Sequence, residues 1–191
     1  MKLRVQRGSY SQKTIAIHRK AHEPFRLTPP RMKKALFEIL ENKLIDFAGH
    51  SFADIYSGSA QIGLEALSRG FGKVYFCEID FERRKHIRNL LREIGCPKHR
   101  YDVFSDNRRF LQKLLLQKLV YPGTLVVFAD PPYPKERNLS AIYELLAQEL
   151  GRLTPPVLAV FQAPKEVAKK FPQARVYFFG SNCLILPQEK L

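Results

Sequence analysis

From Ser51 to the end of the chain, short apolar runs alternate with longer amphipathic stretches. The runs at 52–56, 74–78, 101–104, 125–129, 157–161, 175–179 and 182–186 read as strands, and the segments at about 61–69, 81–94, 106–119, 138–150 and 164–171 as helices. Strands separated by helical segments predict a parallel, doubly wound sheet, because parallel neighbours need a crossover between them. Only Gly180-Ser181 separates the last two runs, which predicts an antiparallel C-terminal hairpin at the sheet edge. Ahead of this block, the apolar positions on either side of Arg7-Gly8-Ser9-Tyr10, at 3–6 and 14–17, predict a small β-hairpin. It carries too little apolar surface to fold alone. Thr28, Pro29 and the periodic Met32, Leu36, Ile39, Leu40 and Leu44 predict an N-cap, an early helical proline and an amphipathic helix. The pattern divides the chain into a basic hairpin extension, 1–27, and one α/β domain, 28–191, with Pro155-Pro156 as a turn inside it.

Charge changes the picture most at the N-terminus. The 191 residues carry a formal charge of +14 and a pI of about 9.9, which implies a polyanionic partner or an anionic surface. Residues 1–34 hold ten Lys and Arg against the single acid Glu23, so most of the excess sits in the hairpin and the helix after it. Arg4, Arg7, Lys13, Arg31, Lys33 and Lys34 are the expected phosphate contacts. No apolar run approaches the roughly 20 residues of a membrane span, so a cytoplasmic protein that keeps clear of membranes is expected. Cys77, Cys96 and Cys183 are odd in number and widely spaced. They read as reduced thiols, and no metal site is expected.

The candidate chemistry lies at the ends of the predicted strands. Leu125 to Ala129 is followed by Asp130-Pro131-Pro132-Tyr133, an acid, two rigid residues without N–H groups and an aromatic ring. Such a corner suits a flat ring bearing an amino group, with Asp130 and the Pro131 carbonyl as acceptors and Tyr133 as a stacking face. Taken alone, it could equally be a strand followed by a proline-rich turn. The strand at 52–56 carries Asp54 and Tyr56 and leads through Ser57-Gly58-Ser59-Ala60 to a helix containing Gly63, the arrangement that binds nucleotide-like ligands in open α/β sheets. Ala60 stands where a dinucleotide fingerprint has its middle glycine, which counts against a pyrophosphate. Glu78 ends the second strand and could accept ribose hydroxyls. Asp106 and the Asn107 N–H follow the third and could meet an adenine, although each acid could also be a helix cap or a solvated strand end. Asp80 reads as a cap. An adenosine-containing ligand without phosphate, beside an amine-binding corner, points to S-adenosylmethionine and methylation of an exocyclic amine.

With these residues in view the chain resembles the RsmD family, bacterial 16S rRNA (guanine-N2) methyltransferases. The resemblance is carried by Leu3-Arg4-Val5 to Gly8, Arg26-Leu27-Thr28 leading to Leu36-Phe37-Glu38-Ile39-Leu40, and Asp54 to Gly58. It continues through Gly63-Leu64-Glu65-Ala66-Leu67-Ser68-Arg69-Gly70, Glu78-Ile79-Asp80 and Asp130-Pro131-Pro132-Tyr133. It implies a Class I, Rossmann-like methyltransferase with S-adenosylmethionine at the glycine loop, Glu78 on its ribose and a guanine amine, of the guanine(966)-N2 type, at Asp130 to Tyr133. The target base would have to leave its helix to reach that corner. The expected partner is 16S rRNA within a small-subunit particle, and a monomer is expected. The chain departs from the family at Ala60, usually Gly, and at Pro29-Pro30-Arg31-Met32-Lys33, usually a Thr-Asp-Arg-Val-Arg-like run. Two alternatives stay open: an adenine-N6 or cytosine-N4 amino-methyltransferase, and an RNA-binding assembly factor of the same fold with impaired catalysis.

Overall fold

The computed structural model describes residues 2–11, 13–16, 27–116, 119, 121, 123–132, 138–153 and 157–187, with the backbone alone at 2, 3 and 14–16. Strands β1 (Lys2–Arg4) and β2 (Thr14–Ala16) pair antiparallel, Leu3 opposite Ile15. Helix α1 (Pro30–Glu41) follows, and then β3 (Ser51–Asp54), α2 (Gln61–Arg69), β4 (Lys73–Cys77), α3 (Phe81–Glu93), β5 (Tyr101–Phe104), α4 (Asn107–Leu115) and β6 (Leu125–Ala129). Helix α5 (Leu139–Leu150), β7 (Val157–Pro164), β8 (Arg175–Phe179) and β9 (Asn182–Leu186) complete the order. Seven strands form one sheet in the order β5-β4-β3-β6-β7-β9-β8. β9 runs antiparallel to both its neighbours and the remaining pairings are parallel. The C-terminal hairpin is therefore present, with β9 inserted inside and β8 at the edge.

Side chains alternate between the two faces of a strand, and the core divides accordingly. Phe52, Val74, Phe76, Val126, Phe128, Leu158 and Val160 pack with α1, α2 and α3. Ala53, Tyr75, Cys77, Val127, Ala129, Ala159 and Phe161 face α4 and α5. The strand order reverses at β3, whose neighbours β4 and β6 lead to helices on opposite faces. The carboxyl ends of β3 and β6 therefore form the switch point of the sheet, the place where open α/β sheets bind ligands.

Several element boundaries differ from the sequence reading. The segment expected as a helix over 164–171 is a 3₁₀ turn, Lys165–Lys170, because β7 continues three residues past 161. Pro29, not Thr28, is the N-cap of α1 and makes no side-chain cap. Asp80 does cap α3, accepting from Arg83 N–H at 2.8 Å. All three cysteines are free and buried. Pro155-Pro156 lies outside the described residues. Among the described residues no helix is long and apolar enough to cross a membrane.

The N-terminal extension is docked on α2 by polar groups at full burial. Glu65 has no exposed side-chain surface; it meets Lys33 at 3.1 Å and Arg69 at 2.9 Å, and its carboxylate accepts the backbone N–H groups of Gln6 (2.7 Å) and Arg7 (3.1 Å). Ser68 accepts from Tyr10 N–H at 2.9 Å through its hydroxyl and from Ser9 N–H at 2.9 Å through its carbonyl. Gly8, at φ +89°, sits so close that an added Cβ would fall 1.7 Å from the Ser68 carbonyl oxygen.

Removing one member of a buried ionic cluster leaves its partners charged and desolvated, at a cost of about 3–5 kcal/mol. Glu65→Ala is expected to lower unfolding free energy in urea by about that amount. The amides of Gln6 and Arg7 should lose hydrogen-exchange protection with it. A loss below ~1 kcal/mol would show that the cluster does not hold the extension.

Candidate functional site

The loop after β3 is shaped by Asp54, which is 2% exposed and accepts the Gly63 N–H on Oδ2 at 3.0 Å. That bond ties the end of β3 to the first turn of α2. Ser57 closes the loop, donating its hydroxyl to the Asp54 carbonyl at 2.6 Å and its N–H to the Cys77 carbonyl at 2.9 Å. Gly58 has φ +48°, and a Cβ there would meet the Tyr56 carbonyl oxygen at 3.9 Å, an ordinary contact. Gly63 could not carry one, because it would lie 2.3 Å from the Phe76 ring, so this glycine lets α2 pack on β4. Ala60 has φ 63°, ψ 14°, the left-handed conformation that glycine adopts without strain. Its methyl group is fully buried in the core, so burial offsets the strain of about 1–2 kcal/mol. The loop therefore keeps a glycine-compatible path despite the substitution.

Glu78 is braced before any ligand arrives. Its two oxygens accept Gly58 N–H and Asp80 N–H, each at 2.9 Å, and Arg83 lies 3.9 Å away. A carboxylate has about four acceptor directions, and these two N–H groups take one on each oxygen. Asp106 is the N-cap of α4, accepting Arg109 N–H at 2.8 Å and the Ser105 hydroxyl at 3.1 Å. The Asn107 side chain donates to the Tyr56 hydroxyl at 2.8 Å, and its N–H belongs to the first turn of α4, which no helical carbonyl satisfies. Beside Glu78, Ile79 and Phe81 are 81% and 64% exposed, apolar surface next to the acids that could cover a flat ring. The sequence reading passed over both; the signal was an apolar residue set between two acids at a strand end.

Asp130 follows β6 directly, with Pro131 buried and Pro132 exposed behind it. Tyr133 lies outside the described residues. Gln162 on β7 donates to Asp130 Oδ2 at 2.6 Å and accepts the Thr28 hydroxyl at 3.0 Å, and Thr28 accepts Gln61 Nε2 on its carbonyl at 3.3 Å. Neither Gln162 nor this role for Thr28 was anticipated. A lone amide in the apolar run from Val157 to Ala163 was the available signal.

The expected RNA-facing cations separate into two groups. Arg4, Arg31 and Lys34 are exposed, Lys34 3.4 Å from Glu38, and Arg7 is exposed 3.9 Å from Glu41. Lys13 donates to the Ile94 carbonyl at 2.7 Å. Lys33 corrects the sequence reading: it is 1% exposed and spends its ammonium on Glu65 and the Arg4 carbonyl, out of reach of a phosphate. Burial pulls its pKa below the ordinary lysine value, against the pull of Glu65.

The acids interact. Burial raises the pKa of Asp54 from 3.8 to about 7; the Gly63 N–H opposes the rise, and the charges of Asp130 and Glu78 add to it. A carboxyl raised in this way favours the fold when protonated. Its contribution is full below about pH 4 and is lost as pH rises through about 7. Asp54→Asn keeps an oxygen for Gly63 and removes the charge. It is expected to raise Tm at pH 8 by on the order of 5 °C and to leave it nearly unchanged at pH 4. Equal shifts at both pH values would contradict a protonation effect.

Residues 3–178 match the family model described as Conserved hypothetical protein 95. The Ribosomal RNA small subunit methyltransferase D of Haemophilus influenzae is 32% identical over 145 residues, 75% of this chain and 70% of that one. A Bacillus subtilis protein named "Putative rRNA methyltransferase YlbH" is 30% identical over 138 residues, 72% and 71% of the two chains. Among solved structures, one titled a "putative methylase" from Haemophilus influenzae superposes with a TM-score of 0.72 at 21% identity, covering 97% of both chains. An RNA methyltransferase from Salinibacter ruber, solved in complex with S-adenosyl-L-homocysteine, gives 0.54 at 15% identity and covers 87% of this chain and 97% of that one. These structural likenesses show a shared fold. With the family model spanning nearly the whole chain and the Haemophilus relative covered over two thirds of its length, the chain belongs to the RsmD-type family, Conserved hypothetical protein 95.

Proposed function

We propose that this protein transfers a methyl group from S-adenosylmethionine to ribosomal RNA, and that the acceptor is the exocyclic N2 amine of a guanine in 16S rRNA, of the guanine-966 type. The observation that carries the reading is electrostatic. A chain of net charge +14 keeps Asp54, Glu78, Asp106 and Asp130 at the carboxyl ends of four adjacent strands, where Asp54 feels the charges of Asp130 and Glu78, and Cys77 between them feels those of Asp54, Asp106 and Glu78. Such an edge repels the pyrophosphate of a dinucleotide and favours a ligand that is cationic near its reactive atom. A sulfonium that also carries an ammonium has this character. The rRNA methyltransferases among the relatives support RNA as the acceptor.

Glu78 would receive ribose hydroxyls, the loop from Asp54 through Tyr56, Ser57 and Gly58 to Gly63 would hold the amino-acid end, and Asp106 with the Asn107 N–H would meet the adenine. When bound, S-adenosylmethionine supplies a methyl group already activated by positive sulfur. Because the electrophile needs little help, the chain's contribution is orientation, whose ceiling is about 7–11 kcal/mol. Asp130 and the Pro131 carbonyl would accept the two hydrogens of the amine, favour a pyramidal nitrogen and stabilise the positive charge that grows on it. Asp130 would then be placed to receive the released proton. Tyr133 would stack on the flipped guanine, a contact of about 1–3 kcal/mol. Arg4, Arg7, Lys13, Arg31 and Lys34 would hold neighbouring phosphates, with a small-subunit particle as the working substrate and a monomer as the working form.

Asp130→Ala is expected to lower kcat for methyl incorporation by about a hundredfold or more, as loss of a group aimed at developing charge does. Calorimetry should find S-adenosylmethionine affinity lowered by no more than about tenfold, since Asp130 supplies one of the four charges at the edge while the ribose, adenine and amino-acid contacts lie elsewhere. Retained turnover would remove Asp130 from the reaction.

A further inference from the structure

We infer that Gln162 is a positioning residue for Asp130, and that Thr28 anchors the far end of its amide; the inference rests on reading Asp130 as the group that receives the acceptor amine. The strand register brings the pair together. Ala129, the last residue of β6, pairs with Phe161, and β7 runs on, so Gln162 stands beside Asp130. Its side chain is buried, the residue being 6% exposed, and both polar ends of the amide have a partner: Nε2 donates to Asp130 Oδ2 at 2.6 Å, and Oε1 accepts the Thr28 hydroxyl at 3.0 Å. The backbone carbonyl of Gln162 accepts the Tyr143 hydroxyl at 2.6 Å. An apolar side chain would fill this place in a core strand without needing partners, so a buried amide partnered at both ends calls for a reason.

That reason is direction. Only the amino end of the amide can donate to a carboxylate, and the Thr28 hydroxyl holds the other end. A short bond to a charged acceptor fixes the plane of the Asp130 carboxylate and favours its ionised form. Thr28 also accepts Gln61 Nε2, at the start of α2 just past the glycine loop. One residue thus joins the cofactor loop, the amide and the acid. Thr28 also leads from the extension into α1, so docking of RNA on those elements bears on the same network. Among the described residues, the groups around the pair include Asp54 on β3, whose charge acts against that of Asp130, Tyr143 on α5, and the apolar Leu184 of β9, which pairs with Gln162.

Three measurements on the full-length protein test this. Gln162→Met keeps length and loses the donor; kcat is expected to fall about tenfold or more, with KM for RNA and Tm close to wild type. Gln162→Glu sets two carboxyls side by side, one of which must hold a proton. Near pH 6 that protonated Glu donates as the amide does and turnover stays close to wild type. As pH rises through the pair's raised midpoint turnover is lost, while that of wild type is not. A carboxyl-carbon NMR titration without RNA should place the Asp130 midpoint higher in Gln162→Met than in wild type. Unchanged kcat in Gln162→Met, parallel pH profiles for Gln162→Glu and wild type, or an unmoved Asp130 midpoint would each overturn the inference. A wild-type protein that transfers no methyl group would instead count against the proposed reaction, and the NMR titration would still decide the role of Gln162.

Discussion

Glu65 sits fully buried on α2 with Lys33 of α1, Arg69 of its own helix and the backbone amides of Gln6 and Arg7 around it. A lone carboxylate in that position would cost several kcal/mol. With two cations and two N–H donors it becomes the point at which three segments, distant in sequence, are fixed to one another. The α2 helix can then serve two tasks. Its first turn holds Asp54 and the glycine loop, and its body carries the extension and α1. The exposed cations of those elements are thus set in fixed register with the carboxyl edge of the sheet.

That edge has its own electrostatic tension. Asp54 is buried deeply enough that its proton is lost only near pH 7, and Asp130 and Glu78 add to the strain. A protein so rich in positive charge has many cations with which to neutralise these acids. Arg83 approaches Glu78 only at 3.9 Å. Gly63, Gly58 and Asp80 offer backbone N–H groups instead. Asp54 and Glu78 are thus braced by backbone dipoles.

Most of this arrangement was legible in the sequence because the sheet obeys simple periodicity. Apolar runs of four to five residues had to be strands of one sheet, and acids following the parallel ones had to lie at their carboxyl ends. What escaped was long-range pairing of polar groups. Lys33 lies on the stripe 33, 36, 37, 40 of α1, so its spacing already placed it with the core; its charge drew the opposite reading. Gln162 fell just past the expected end of β7, and Thr28 was assigned to a cap that Pro29 occupies instead. Each of these residues is explained by a partner 30 or more residues away, and periodicity carries no information about such partners. Ala60 was a local exception with a local resolution: its backbone goes where glycine would, and its methyl packs inward.

The acidic edge and the Asp130 corner are proposed to act together on a guanine of ribosomal RNA. Mass mapping of small-subunit rRNA from cells with and without the protein is the test of that joint action. One N2-methylguanosine is expected to disappear with the protein and to return with the wild-type chain but not with Asp130→Ala. An rRNA methylation pattern indifferent to the protein would contradict it.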